Sequence, residues 1–317
     1  MEKRALGRTG LEIAPLVFGG NVFGWTADEK TSFELLDGFT DAGFNAIDTA
    51  DVYSSWAPGN SGGESETIIG KWLKSKPSMR DKVVIITKVG SDMGDGKKGL
   101  SPRWIATAVD DSLRRLQTDQ IDLYLSHWPD PETPYEETLG AYDTLLKQGK
   151  IRAIGASNLD EDQLAASIET AKKAGVPRYG VLQPEYNLHD RKSFDGPLAA
   201  LCRQEEMGVI TYFSLASGFL SGKYRTQKDL EGSNRGDAVK KYMNERGTKI
   251  LDALDTVANE TGAKPAEIAL AWIMARNGVT APIASATSLA QLESLTKSAS
   301  LKLSDEAMAL LTKASDY

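Results

Sequence analysis

The chain has 317 residues, 41% of them hydrophobic, with a formal net charge of −7. No basic stripe offsets that acidity, which argues against a nucleic-acid partner, and the single cysteine, Cys202, excludes an intrachain disulfide. No apolar run nears the ~20 residues of a membrane span, and Met1-Glu2-Lys3-Arg4 lacks the apolar core of a signal peptide, so the expectation is a cytoplasmic protein without membrane contact.

Residues 3–6 and 11–13 flank Gly7-Arg8-Thr9-Gly10 and predict a short hairpin that plugs one end of the core. Residues 16–20 read as a short strand ending in glycines. A helix follows over 28–42, with Phe33, Leu36 and Phe39 on one face and Gly43 as its stop. The next strand, Ala46-Ile47, runs into Asp48. A helix over 64–74 carries the stripe Ile68, Ile69, Trp72 and Leu73, and the strand 83–87 runs into Lys88. Ser101-Pro102 reads as N-cap and first-turn proline of a helix striped by Ile105, Val109, Leu113 and Leu116. Strand 121–126 runs into His127. Helix and strand then alternate over 134–148, 151–158, 160–174, 179–183, 197–206 and 209–212. Residues 214–246 form a long polar segment, and a loop of that length in a compact domain is usually functional. Helices over 248–260 and 265–277, a last strand over 281–285 and closing helices complete the chain.

Eight strands each followed by helix imply a parallel sheet with right-handed crossovers. At this length eight units favour a closed (β/α)8 TIM barrel, α/β in class, with an N-terminal β-hairpin and extra helices. No composition break suggests a second domain, so 1–317 is read as one barrel domain.

Catalytic groups of such barrels sit at the C-terminal ends of the strands. Asp48, Lys88 and His127 occupy three successive strand ends, and Tyr53 lies in the loop beyond the first. Taken singly, the Asp is a turn residue, the Tyr a packing residue, the Lys a solvated charge and the His a structural one. Their convergence at one end favours chemistry. A phenol beside an ammonium is expected to have its pKa lowered, Asp48 can hold Lys88, and His127 can hydrogen-bond a carbonyl oxygen. That set suits protonation of a carbonyl oxygen while hydride arrives at carbon. Two histidines and one cysteine offer no zinc spacing. Gly94-Asp95-Gly96-Lys97-Lys98 misses the P-loop pattern, because no Ser or Thr follows the lysine.

Several motifs resemble the aldo-keto reductase superfamily, over nearly the whole chain. They are Gly43-Phe44-Asn45-Ala46-Ile47-Asp48-Thr49-Ala50-Asp51-Val52-Tyr53 with Gly63-Glu64-Ser65-Glu66, Ile86-Thr87-Lys88-Val89, Asp122-Leu123-Tyr124-Leu125-Ser126-His127-Trp128, and Gly149-Lys150-Ile151-Arg152-Ala153-Ile154-Gly155-Ala156-Ser157-Asn158. The resemblance implies NADPH, with NADH possible, extended across the C-terminal face. It also implies Tyr53 as general acid, Lys88 and Asp48 as its tuning pair, and His127 as substrate orienter. Ser157, Asn158 and Gln183 match positions that hold the nicotinamide carboxamide, and Tyr212 matches the ring that stacks on it. Ser214, Leu215, Ser217, Gly218, Leu220 and Gly222 match the loop over the pyrophosphate, with Lys223 adding charge. Gly20, Asn21 and Asp48 match first contacts to the cofactor. At the last strand Ser285, Thr287, Ser288 and Gln291 align with the grip on the 2′-phosphate. Many relatives carry a lysine and an arginine there, so Arg225 is a candidate replacement cation. Phe213 stands where many relatives have a serine, and Leu295 where an adenine-contacting asparagine is common.

Phe23, Trp25, Trp56 and Trp128 follow strand ends and are expected to wall the substrate position with Tyr53 and His127. The reading is therefore an NADPH-dependent reductase of an aldehyde or ketone, apolar, aromatic or cyclic. The alternatives are a cofactor-binding regulatory subunit on the same scaffold, as in the β-subunits of potassium channels, or an NAD-linked alcohol or sugar dehydrogenase. The expected partner is a small carbonyl compound, and oligomeric state is not legible.

Overall fold

Eight parallel strands close on themselves in the computed structural model, which describes residues 2–233 and 235–317. They are β3 (Val17–Gly19), β4 (Ala46–Asp48), β5 (Val84–Val89), β6 (Ile121–Ser126), β7 (Ile151–Ser157), β8 (Val181–Gln183), β9 (Gly208–Thr211) and β10 (Ala281–Ala284). The hairpin that precedes them pairs β1 (Arg4–Ala5) with β2 (Glu12–Ile13), antiparallel. Neighbours in the barrel follow chain order, and β10 pairs with both β3 and β9 to shut the ring. Register matters most at the first three strands: Gly19 lies opposite Asp48, and Asp48 opposite Ile86. The barrel predicted from the rhythm of strand and helix is the observed fold.

Two apolar layers hold it. Inside the ring, Val17, Ala46, Val84, Ile86, Leu123, Leu125, Val181, Ile210 and Ala281 meet side chains from the hairpin region, Leu6, Leu11 and Ile13. The hairpin covers the N-terminal end of the strands, because a Cβ on Gly7 would lie 2.3 Å from the amide of Gly208, where β9 begins. The opposite end is thereby left for the site.

The outer layer lies between strands and helices. These helices are α1 (Glu29–Asp41), α2 (Glu64–Ser75), α3 (Pro102–Leu116), α4 (Tyr135–Lys147), α5 (Glu161–Ala174), α6 (Pro197–Gln204), α7 (Gly236–Lys240), α8 (Glu245–Thr261), α9 (Pro265–Met274), α10 (Leu289–Ser298) and α11 (Asp305–Ala314). Their starts carry the caps that the free N–H groups of a helix require. Asp28 caps α1, Ser101 caps α3 with Pro102 in the first turn, and Asp160 and Gln163 form a capping box on α5. Among the described residues no helix is long and apolar enough to cross a membrane.

The segment 214–246 is more ordered than its polarity suggests. Short three-ten turns span Ala216–Ser221 and Gln227–Leu230, followed by α7, and Phe219, Leu220, Tyr224, Leu230, Val239 and Tyr242 are buried in the outer core. Their spacing matches neither the helix nor the strand period, so the anchoring is invisible in the sequence.

Candidate active site

Strand register sets the geometry of the candidate site. Asp48 is the last residue of β4, Lys88 the penultimate residue of β5, and His127 the first residue after β6. The Thr49 amide donates to Ile86 O at 2.8 Å and the His127 amide to Val89 O at 2.8 Å, so pairing between strands continues into the loops. Tyr53 is carried back over the barrel mouth by the turn after Ala50.

Lys88 is fully buried, and its three N–H donors are all used. Nζ donates to Asp48 Oδ2 at 2.7 Å, to the Thr49 carbonyl at 2.8 Å and to Tyr53 Oη at 2.9 Å. Tyr53 Oη in turn donates to Asp48 Oδ2 at 3.3 Å, and Gln183 Nε2 donates to Asp48 Oδ1 at 2.8 Å. Burial pulls the Lys88 ammonium below its ordinary pKa, and Asp48 opposes this. Burial, and then the Asp48 carboxylate, push the Tyr53 phenol well above its ordinary value. The lowered phenol pKa expected from Lys88 alone is thus not the direction in the folded chain, since desolvation and a nearby anion outweigh the ammonium. The phenol stays protonated at neutral pH, as a proton donor must, and Lys88 is in place to hold the phenolate once it forms. His127 is pushed well below its ordinary pKa by burial and then by Lys88, so its imidazole is neutral. It meets the Tyr53 ring edge to face at 6.1 Å.

The expected nicotinamide-side residues form one connected row. Ser157 Oγ donates to Gln183 O at 2.7 Å, Asn158 Nδ2 donates to His127 O at 2.9 Å, and Tyr212 Oη donates to Asn158 Oδ1 at 2.6 Å. Asn158 adopts the left-handed region, φ 61°, which asparagine tolerates better than most residues. Further along, Ala216, Ser217 and Gly218 have φ of 48°, 57° and 95°. The amides of Ala216 and Gly218 close this turn on Phe213 O at 2.6 Å and Leu215 O at 2.8 Å, so they are committed within the loop. Leu220 is wholly buried with its amide on Leu215 O at 3.2 Å, so it supports the loop from inside, while Leu215 packs partly against the core and Ser214 Oγ is turned to Thr211 O at 3.0 Å. Lys223 Nζ would lie 3.8 Å from a Cβ on Gly218, near the same segment, and Gly222 closes its turn with φ 77°.

The residues expected at the adenosine end, Ser285, Thr287 and Gln291, carry no charge. Ser285 Oγ donates to Asn21 Oδ1 at 2.6 Å beside Gly19 and Gly20, and Gln291 Oε1 accepts from the Thr287 amide at 2.9 Å. Arg225 is already engaged: its guanidinium bonds Gly222 O at 2.9 Å and Asp255 at 2.7 Å. The cation expected to replace the usual basic residues is therefore already paired.

Among the expected walls, Trp25, Trp56 and Trp128 gather at the mouth. Trp56 meets Tyr53 at 6.0 Å and Trp25 at 5.8 Å, and Trp128 stacks on His127 at 5.9 Å. Trp56 and Trp128 are about half exposed, at 47% and 49%, which leaves their faces free. Phe23 corrects its expectation. It is completely buried and stacks on Phe18 at 5.3 Å, so it is a core residue with no surface for substrate.

Two polar features went unread in the sequence. Asp51, between Asp48 and Tyr53, is buried with neither carboxyl oxygen hydrogen-bonded. Next to it, Glu66 takes the local donors, Thr87 Oγ1 at 2.5 Å and Arg115 Nε at 2.6 Å. The second is Ser91, two residues past β5, whose Oγ lies 2.9 Å from His127 Nδ1. Only Gly90, with φ 115°, hints at the turn that delivers it.

A family model described as "Aldo/keto reductase family" matches residues 15–316. The chain is 35% identical to "Uncharacterized oxidoreductase YrpG" of Bacillus subtilis, covering 98% of this chain and 95% of that protein. It is 33% identical to "Aldo-keto reductase YhdN" of the same organism, covering 96% and 91%. It is also 32% identical to a "Probable voltage-gated potassium channel subunit beta" of rice, Oryza sativa subsp. japonica, covering 90% and 88%.

Proposed function

The chain belongs to the aldo/keto reductase family and is an NAD(P)H-dependent oxidoreductase, and on that premise we propose that it reduces an apolar aldehyde or ketone, aromatic or cyclic, to the alcohol, with Tyr53 as general acid and NADPH as the preferred cofactor. The observation that carries this reading is the single Lys88 ammonium hydrogen-bonded at once to Asp48, Thr49 O and Tyr53 Oη at the strand ends.

When bound, a reduced nicotinamide supplies the hydride to the carbonyl carbon. Ser157, Asn158 and Gln183 would hold its carboxamide, Tyr212 would cover its ring, and the loop from Ser214 to Gly222, with Lys223, would cover the pyrophosphate. As the carbonyl oxygen gains an electron pair, it takes the proton from Tyr53 Oη. Lys88 then stabilises the phenolate through a charge-assisted hydrogen bond. Asp48, held by Gln183 on its other oxygen, keeps Lys88 aimed. Trp25, Trp56 and Trp128 favour a flat apolar substrate, since aromatic faces stack on rings. No observation favours a role limited to binding, because the proton donor and its tuning pair are assembled.

Tyr53→Phe removes the transferable proton and keeps the ring. Turnover of the best aldehyde is expected to fall by roughly 10²–10⁴-fold, the range for loss of a general acid, with NADPH affinity retained. Near wild-type turnover in that variant would sink the assignment.

A further inference from the structure

The His127 imidazole has two faces of different chemistry, and the chain has engaged only one. Nδ1 lies 2.9 Å from Ser91 Oγ, while Nε2 makes no hydrogen bond to another described residue. It is also absent from the sealed polar atoms, unlike Nε2 of His189, so it opens on the mouth beside Tyr53. The backbone around the ring is tied at both ends. The His127 amide donates to Val89 O and the His127 carbonyl accepts from Asn158 Nδ2. Trp128 stacks on the ring. Rotation is thus limited, and what remains to be decided is which nitrogen carries the proton.

A neutral imidazole has one donor and one acceptor nitrogen, and the partner of one sets the role of the other. Ser91 is buried, and His127 Nδ1 is its only side-chain hydrogen-bond partner among the described residues. If Nδ1 carried the proton, the serine hydroxyl hydrogen would be left without an acceptor in a buried place, which is costly. The Nε2 lone pair would then face the lone pairs of a carbonyl oxygen. If Nδ1 accepts from Ser91, both polar groups are satisfied and Nε2–H points outward as a donor.

We propose that Ser91 is a positioning residue that holds His127 in the Nε2–H tautomer, making His127 a one-way donor to the carbonyl oxygen of the substrate. This rests on the reductase reading for its catalytic consequence, but the tautomer itself is read without turnover. The chain has only two histidines, so 15N-histidine labelling of the cofactor-bound protein gives two sets of ring signals, and His189→Asn assigns them. The expected result is a protonated Nε2 and an unprotonated Nδ1 at His127. Ser91→Ala should mix the tautomers and lower kcat/KM by about tenfold, less than the loss of a whole oxyanion donor because the donor nitrogen is still present part of the time. Ser91→Thr keeps the hydroxyl and should stay within about threefold of wild type in kcat/KM. A wild-type His127 protonated on Nδ1 overturns the proposal. So does a Ser91→Ala variant with unchanged ring signals or unchanged kcat/KM. Failure of the reductase reading is distinguishable, since it appears as full turnover in Tyr53→Phe whatever the His127 signals show.

Discussion

Asp51→Asn is expected to make the protein less sensitive to rising pH. Two buried carboxyls, Asp51 and Glu66, face one nearby arginine, and Arg115 has its Nε on Glu66 at 2.6 Å. Thr87 is also committed to Glu66. Neither Asp51 oxygen has a well-formed hydrogen bond, and burial, then Glu66, push its carboxyl up to about 8, against the pull of Arg115, the neighbouring Val52 amide and Lys88. In the unfolded chain the same group titrates near ~4. Between those values the folded state holds a proton that the unfolded state has released. Stability therefore falls as pH rises, by up to about 1.4 kcal/mol per pH unit from this one site, and levels off above about pH 8. Asparagine has nearly the same shape and does not titrate, so it removes that slope. The assay is denaturant unfolding of both proteins at about pH 5, 6.5 and 8. The variant's stability relative to wild type should climb by a few kcal/mol across that range, with most of the gain above about pH 6. A difference that does not change with pH would show that Asp51 is ionised in the folded state, and the reasoning would fail.

Gly70→Ala tests the contact between α2 and α3. Alanine at a helix position ordinarily stabilises by about 1 kcal/mol relative to glycine, but here the added Cβ would sit 2.1 Å from Arg115 O and 2.7 Å from the Leu116 carbonyl carbon. Backbone cannot yield as a side chain can, so the expected sign reverses, with a loss of about 3 kcal/mol. A raised melting temperature would refute it. For the cofactor, Ser285, Thr287 and Gln291 would offer a 2′-phosphate hydrogen bonds and no charge of their own. Fluorescence titration should show NADPH binding more tightly than NADH by less than about 1.4 kcal/mol, or tenfold. Equal affinities would remove the NADPH preference.

The alternation of strand and helix is written in the local apolar period and in punctuation such as Gly43, Ser101-Pro102 and Asp160, which act within a few residues. The convergence of polar groups at one end of the barrel was legible for the same reason. Asp48, Lys88 and His127 each interrupt an apolar strand at its C-terminal end, and parallel strands bring such ends together. Side-chain direction inside a loop is another matter. Phe23 and Trp25 stand two residues apart with similar apolar character, yet one stacks in the core on Phe18 and the other meets Trp56 at the mouth. That choice depends on the neighbouring strands. Arg225 was available as a cation until Asp255, thirty residues away, took it. The phenol of Tyr53 was open to being lowered by Lys88 until closure of the barrel supplied the burial that raises it. Residue type and period thus determine which segments form elements and which polar groups stand at their ends. Partners, exposure and protonation belong to the tertiary structure, because desolvation and hydrogen bonding between strands exist only once register and closure have put distant residues within a few ångströms.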